Sequence, residues 1–264
     1  MCGRYFRGSK KQEIAERFGA GRVFEDPLVA DYNIAPSTFQ PVIRLGKETG
    51  EREMVLLRWG MIPHFASSLK EFKAIATFNA RAESLSRSAT WREPFQRRRC
   101  LIPADGFYEW AELPALTARG ATLSAPSTPS PPHSRSSKTM RQPYAVTLQD
   151  GAMMAIAGLW DAWKEPKRSP QEVDRWLQSF ALVTTEASAG MEAIHTRMPL
   201  ILREQDWEQW LDRDASQPSP LHLLQPHAPA DLVIQPCSSA LGNVRNHGPE
   251  LLLPNASRTG VPEP

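Results

Sequence analysis

The sequence predicts a strand-rich fold with a few short helices, and three observations carry that expectation. Short apolar runs of strand length recur along the chain, at about 42–45, 52–59, 144–148, 153–163, 180–185 and 232–236. Two Asp-Gly turn signals, Asp105-Gly106 and Asp150-Gly151, each fall between apolar runs and predict hairpins. Helical spacing is confined to brief stretches, residues 9–19 and 204–211. A length of 264 residues with 41% hydrophobic and 23% charged residues suits one large domain or two small ones with an ample core.

In chain order, Ser9 and Gln12 form a capping box for the first helix. Ile14, Ala15 and Phe18 share its inner face, and Gly19 stops it. Residues 32–36 are a turn leading to the strand at 42–45. Residues 52–59 form a second strand, and residues 60–65 leave it as a loop carrying Phe65, either a stacking platform for a nucleobase or a cap on the local core. Residues 77–83 are extended, which points Asn79 and Arg81 the same way, toward a substrate and its phosphate or toward capping a following helix. Arg97-Arg98-Arg99 is a basic run, a solvated face or a DNA contact. The hairpin turning at Asp105-Gly106 carries Glu109 between Tyr108 and Trp110. Aromatic neighbours desolvate a carboxylate, raise its pKa and make it a candidate general acid; a solvent-facing strand residue is the alternative.

Residues 111–140 hold five prolines among many Ser, Thr and Ala and no aromatic, the composition of a disordered loop inserted between strands. Residues 167–175 are a polar connection. The strand at 180–185 runs into a stretch with His195 and, two residues on, Arg197, a pairing that can hold a phosphate beside an imidazole. Trp207 and Trp210 share one face of the last helix, and Gly242-Asn243-Val244-Arg245-Asn246 is a turn. The chain from about 249 to 264 is expected to be a flexible tail.

Composition narrows the function classes. Net charge is only +2, which permits a basic groove without demanding one. Cys2, Cys100 and Cys237 are far apart and match no zinc spacing, so neither a metal site nor a disulfide framework is expected. No apolar run is long enough to span a membrane and no apolar leader is visible, so the expectation is an intracellular protein.

Cys2 carries the most unusual chemistry. Removal of Met1 places an α-amine and a thiol on adjacent carbons, with reference pKa values of about 7.7–8.0 and about 8.5. The amine condenses with an aldehyde to an imine, and the thiol closes on the imine carbon to give a five-membered thiazolidine. Cys2 can also be incidental to function, or the nucleophile of an N-terminal hydrolase with its own amine as base.

Seven stretches, in order, resemble the SOS response-associated peptidase (SRAP) family of abasic-site processing proteins. They are Met1-Cys2-Gly3-Arg4-Tyr5, Tyr32-Asn33-Ile34-Ala35-Pro36, Arg58-Trp59-Gly60-Met61-Ile62-Pro63, Asn79-Ala80-Arg81-Ala82-Glu83, Ala104-Asp105-Gly106-Phe107-Tyr108-Glu109-Trp110, Ile194-His195-Thr196-Arg197-Met198-Pro199 and Gly242-Asn243-Val244-Arg245-Asn246. The resemblance implies a single α+β domain over residues 1–248, with a curved, largely antiparallel, barrel-like β core and peripheral helices. It implies covalent capture of abasic sites in single-stranded DNA through Cys2, with Asn79, Glu109 and His195 as the other catalytic positions. Expected DNA contacts are Arg4, Pro36, Trp59, Phe65, Arg81 and Arg197. Many members of the family carry tryptophan in the loop where this chain has His64-Phe65. No metal or cofactor is implied, self-removal of Met1 is, and the setting is a monomer in a bacterial cytoplasm, at the nucleoid when on DNA. A cysteine peptidase and a non-covalent reader of modified DNA remain the other readings.

Overall fold

The structure is a computed structural model. It describes residues 2–69, 77–113, 140–166, 173, 175–214, 216, 218–225 and 232–254. Strand β1 (Tyr5–Arg7) and the short β2 (Arg22–Val23) flank helix α1 (Lys11–Phe18). β3 (Asp31–Ile34), β4 (Phe39–Leu45), β5 (Arg52–Trp59) and β6 (Asn79–Arg81) follow. Helix α2 (Arg92–Arg97) leads into β7 (Arg99–Ala104) and β8 (Gly106–Leu113). Then come β9 (Met140–Leu148), β10 (Met154–Lys164), β11 (Trp176–Glu186), β12 (Arg197–Pro199), helix α3 (Trp207–Leu211) and β13 (Leu232–Pro236).

Five strands close on themselves in the order β11-β10-β7-β4-β5, because β5 returns to β11 as a parallel neighbour through Ser179↔Arg58 and Phe180↔Trp59. β6 and β12 attach to β11, and β2 to β5. A second sheet has the order β13-β9-β8-β1-β3 and is antiparallel throughout. The expected curved, largely antiparallel core with small peripheral helices is therefore the fold of the chain. One core cluster joins the two sheets through Tyr5, Leu57, Trp59, Ile102, Phe107, Ile156 and Phe180, all 0% exposed. A second lies beneath the helices, where Phe18 stacks on Trp207 at 4.6 Å and Trp210 packs on Phe95. Full burial of side chains this size contributes about 1.5–3 kcal/mol each, which is what holds the short helices in place. Among the described residues no helix is long and apolar enough to cross a membrane.

Both Asp-Gly signals turn out to be crossings between sheets. β7 pairs with β10 and β4, whereas β8 pairs with β1 and β9, so Asp105 sits where the chain changes sheet. Its carboxylate accepts from the Gly8 and Ser9 amides (2.6 and 2.8 Å) and the Ser9 hydroxyl (2.6 Å), which ties the end of β1 to the crossing. Gly106 is required by close approach: a Cβ there would lie 2.5 Å from the Phe6 ring and from the Val146 carbonyl oxygen. Asp150-Gly151 likewise joins β9 to β10, strands of different sheets, with Gly151 at φ +69°. Among the described residues, the strands adjacent in sequence that do pair antiparallel are β4–β5, β8–β9 and β10–β11.

Other local readings change too. Asp105 takes Ser9, so α1 begins one residue later, where Glu13 accepts from the Lys10 amide at 2.8 Å. Residues 31–34 are strand rather than turn. The Pro/Ser-rich insertion lies outside the described residues at 114–139, while 111–113 and 140 are already strand. Most of the polar connection at 167–175 also lies outside them. Pro249–Leu252 is a 3-10 turn whose Leu251 is buried beside Phe6 and Tyr108, so chain taken as tail is packed there; residues 255–264 lie outside the described residues.

Candidate active site

Cys2 is 0% exposed and lies where the two sheets meet. Three hydrogen bonds place it. The Asn79 Nδ2 on β6 donates to the Cys2 carbonyl at 2.8 Å. The Cys2 thiol points at the Arg4 carbonyl, with Sγ 3.6 Å away. The Tyr108 amide of β8 donates to that same carbonyl at 3.0 Å, which sets the start of the chain alongside Glu109. A barrel-side residue and a residue of the second sheet thus grip the first residues from both sides.

Glu109 faces this junction, pairs across strands with Tyr144 and is 2% exposed. Burial pushes its carboxyl from the ordinary 4.5 up to about 7. At neutral pH the group is therefore divided between acid and carboxylate. The Cys2 thiol is pushed well above its ordinary range, first by burial and next by the charge of Glu109, so it is held as the neutral thiol. Asn79 Oδ1 is buried with no hydrogen-bond partner among the described residues, an open acceptor next to Cys2.

His195 enters from the segment between β11 and β12. Its Nδ1 lies 2.9 Å from the Arg197 amide nitrogen and 3.1 Å from the Arg197 carbonyl oxygen, so Arg197 fixes the ring in either tautomer: accepting from the amide leaves the neutral ring's proton on Nε2, donating to the carbonyl keeps it on Nδ1. Burial depresses its pKa, so the neutral ring predominates at pH 7. Arg197 is itself held by Glu83, with Nη1–Oε1 at 2.5 Å and Nη2–Oε2 at 3.1 Å, and by the Thr184 carbonyl at 2.7 Å.

Asn79 reaches Cys2 by a hydrogen bond and Glu109 by its charge on the thiol, while His195 precedes β12, which pairs with β11 beside the β6 segment that carries Asn79. The expected DNA contacts divide. Arg81 is exposed at the end of β6, and Phe65 is 52% exposed on its loop. That loop is anchored by buried Asp161, which accepts from the His64 amide at 2.9 Å and contacts its Nδ1 at 3.0 Å. Pro36 is half-buried in the turn after β3. Arg4 is half-buried, and its Nε donates to Asn33 Oδ1 at 3.0 Å. Trp59 is a correction: it is 0% exposed, edge-on to Tyr5 and Phe78, and its Nε1 donates to the Phe78 carbonyl at 2.9 Å. It is a core residue because the returning β5–β11 pair encloses it. The guanidinium of Arg197 is committed to Glu83, and its amide serves His195.

Two residues had no role in the sequence reading. Buried Asn33 donates from Nδ2 to the carbonyls of Leu241 (3.3 Å), Asn243 (3.0 Å) and Asn246 (2.9 Å), pinning the C-terminal turn to Arg4. Glu83 fixes Arg197. Asn33's C-terminal partners and Glu83's Arg197 lie more than 100 positions away, so no local spacing announces them.

The abasic site processing protein YoqW of Bacillus subtilis is 32% identical over 255 residues, covering 96% of this chain and 99% of that protein. The abasic site processing protein HMCES of Rattus norvegicus is 28% identical over 246 residues, covering 87% of this chain and 66% of its own. A crystal structure of a Bacteroides thetaiotaomicron protein superposes with a TM-score of 0.73 at 21% identity, covering 96% of this chain and all of the other, and shares the fold. A Bordetella bronchiseptica protein has a TM-score of 0.66 at 26% identity, over 90% of this chain and 100% of its own. The family model described as SOS response associated peptidase (SRAP) matches residues 1–244, and the chain belongs to that family.

Proposed function

We propose that the protein captures abasic sites in single-stranded DNA by forming a thiazolidine crosslink through Cys2 once Met1 has been removed, shielding the lesion from strand cleavage. The observation that carries this reading is the pairing of a Cys2 gripped by Asn79 with a buried Glu109 whose carboxyl titrates near neutrality. The names of the relatives, abasic site processing proteins, support the substrate class.

Glu109 in its acid form gives a proton to the ring oxygen of the closed deoxyribose, which opens to the aldehyde. The Cys2 amine attacks that carbon, the anomeric hydroxyl leaves as water with one proton of the amine, and the protonated Schiff base (iminium) remains. The neutral thiol then adds to the same carbon as its proton passes to the Glu109 carboxylate, which restores the acid. The sum is amine, thiol and aldehyde giving thiazolidine and water. Asn79 fixes the Cys2 backbone, and His195, in the tautomer that carries its proton on Nε2, donates to the sugar oxygens during imine formation. Ring closure removes the imine that would otherwise drive β-elimination of the strand. The same terminus, gripped in the same way, supports self-removal of Met1 by Cys2 acting on its own preceding peptide bond.

A denaturing gel of processed protein with an abasic oligonucleotide tests the reading. Wild type should give a heat-stable adduct, Cys2→Ala none, and Cys2→Ser at most a borohydride-dependent Schiff base. A heat-stable adduct of full yield from Cys2→Ala, or from protein whose Cys2 amine is blocked by a preceding residue, would overturn it.

A further inference from the structure

A cleft of about 780 Å³ opens at the other end of the barrel, between the β4–β5 turn, the end of α2, and the residues Trp160 and Gln178. Six cations and two acids line it, a balance of +4, whereas the whole chain carries only +2 (31 − 29). The floor is built and neutralised. Arg44 is paired with Glu53 at 2.8 Å, bonded to Gln178 at 3.0 Å and stacked over Trp160 at 4.2 Å. Arg98 is taken by Glu93 and Asp161. Arg213 is held on the turn by the Gly46 carbonyl at 2.9 Å. Above this floor Arg22, Lys47 and Arg97 are exposed and make no ion pair among the described residues. Like charges converging on a concave surface raise its potential and concentrate anions there.

We infer that the cleft is a second nucleic-acid contact, in which Arg22, Lys47 and Arg97 hold phosphates of the strand whose abasic site lies at Cys2. The inference rests on the function proposed above, and distance argues for the same strand. Gln178 of the cleft, Leu182 beside Asn79, and Glu186 beside Arg197 lie in that order along β11. At about 3.3 Å per residue the two sites are about 13–26 Å apart. A stacked strand at about 3.4 Å per nucleotide covers that in roughly four to eight nucleotides. The contact engages backbone and not bases, so it lengthens the footprint without adding sequence preference.

The experiment compares wild type with the triple variant Arg22→Glu, Lys47→Glu, Arg97→Glu and its glutamine counterpart, two undamaged single strands of about 5 and about 30 nucleotides, and a range of salt. Against the long strand the variants should bind about tenfold or more weaker, with a log–log salt slope shallower by about 2, from three contacts at about 0.7 each. Binding of the short strand, and crosslinking of a five-nucleotide strand with a central abasic site, should stay within about twofold. Unchanged affinity and slope for the long strand would overturn the inference. So would loss of inorganic tripolyphosphate binding alone, which would make the cleft a small-anion site. Failure of wild type to crosslink the short abasic strand would sink the proposed function, while the undamaged long strand would still read the cleft.

Discussion

The two ends of the barrel use charge in opposite ways. Around Cys2 the ionisable groups are few and dry: Glu109 is 2% exposed with its carboxyl pushed to about 7, and the thiol is held neutral. At the cleft Glu53 is neutralised by Arg44, and Arg22, Lys47 and Arg97 stand in water. Removing water from one carboxylate keeps a proton on it at neutral pH, which is chemistry. Exposed cations attract a polyanion from a distance and leave their own protonation unchanged, which is affinity without chemistry. Substitutions at one end should therefore change rate, and at the other salt dependence.

The largest effect at the dry end is expected from Glu109→Gln. It should slow crosslinking by about 100- to 10,000-fold and leave equilibrium DNA binding nearly intact, since an amide cannot protonate the ring oxygen. The pH profile sharpens this. Wild type needs Glu109 as the acid, present below about 7, and the amine as the free base, gained above its reference value. The product of the two is a bell with its maximum near about 7.4. Glu109→Gln should lose the alkaline limb and keep the acidic one. A wild-type rate still rising from pH 8 to 9 would remove Glu109 as the acid. The same burial has a stability cost. The raised folded pKa is a stabilisation that is complete below the ordinary 4.5 and lost as pH rises through about 7. At pH 8 Glu109→Gln should thus unfold at higher temperature than wild type, by the equivalent of about 1–3 kcal/mol.

Trp59 and Phe65 follow one another on the same stretch yet belong to different regions. Trp59→Ala should cost about 3–5 kcal/mol in denaturant unfolding, because it empties an enclosed site between Tyr5, Phe78 and Phe180. Phe65→Ala should leave stability within about 0.5 kcal/mol. It should weaken binding of intact single strands by about 1–3 kcal/mol, the worth of one stacked base. Equal stability of the two variants would contradict the burial assigned to Trp59, and unchanged strand affinity of Phe65→Ala would take Phe65 out of the DNA surface.

The smallest effect belongs to the rim. Glu83 is half exposed, so its pair with Arg197 contributes little to stability. Its consequence is positional, since Arg197 carries the amide that fixes the His195 ring. Glu83→Gln should slow crosslinking by a few-fold with Tm shifted by no more than about 2–4 °C. It should also broaden the His195 ring resonances in NMR spectra. Sharp, unshifted resonances would show that His195 is fixed by other contacts.

Chemistry was legible in the sequence wherever it depends on residue type at a fixed place. Cys2 next to Met1 and Glu109 between two aromatics are the positions on which the proposed chemistry rests, the burial expected of Glu109 is found, and the order of seven short stretches identifies the family. The strand segments were legible as well, because alternation and apolar runs are local: 52–59 and 232–236 coincide with β5 and β13. Which strands pair was not. Asp105-Gly106 carries the local signature of a hairpin, but the Asp105 carboxylate is satisfied by Gly8 and Ser9, nearly a hundred positions away, and the chain changes sheet there. Trp59 was expected to contact DNA, but β5 returns to β11 and encloses it. Sequence fixes what a side chain can donate, accept or ionise, since those are covalent properties. Only the closed barrel decided which of them lost water, and desolvation, which moves Glu109 to about 7, depends on every neighbour that packs around it.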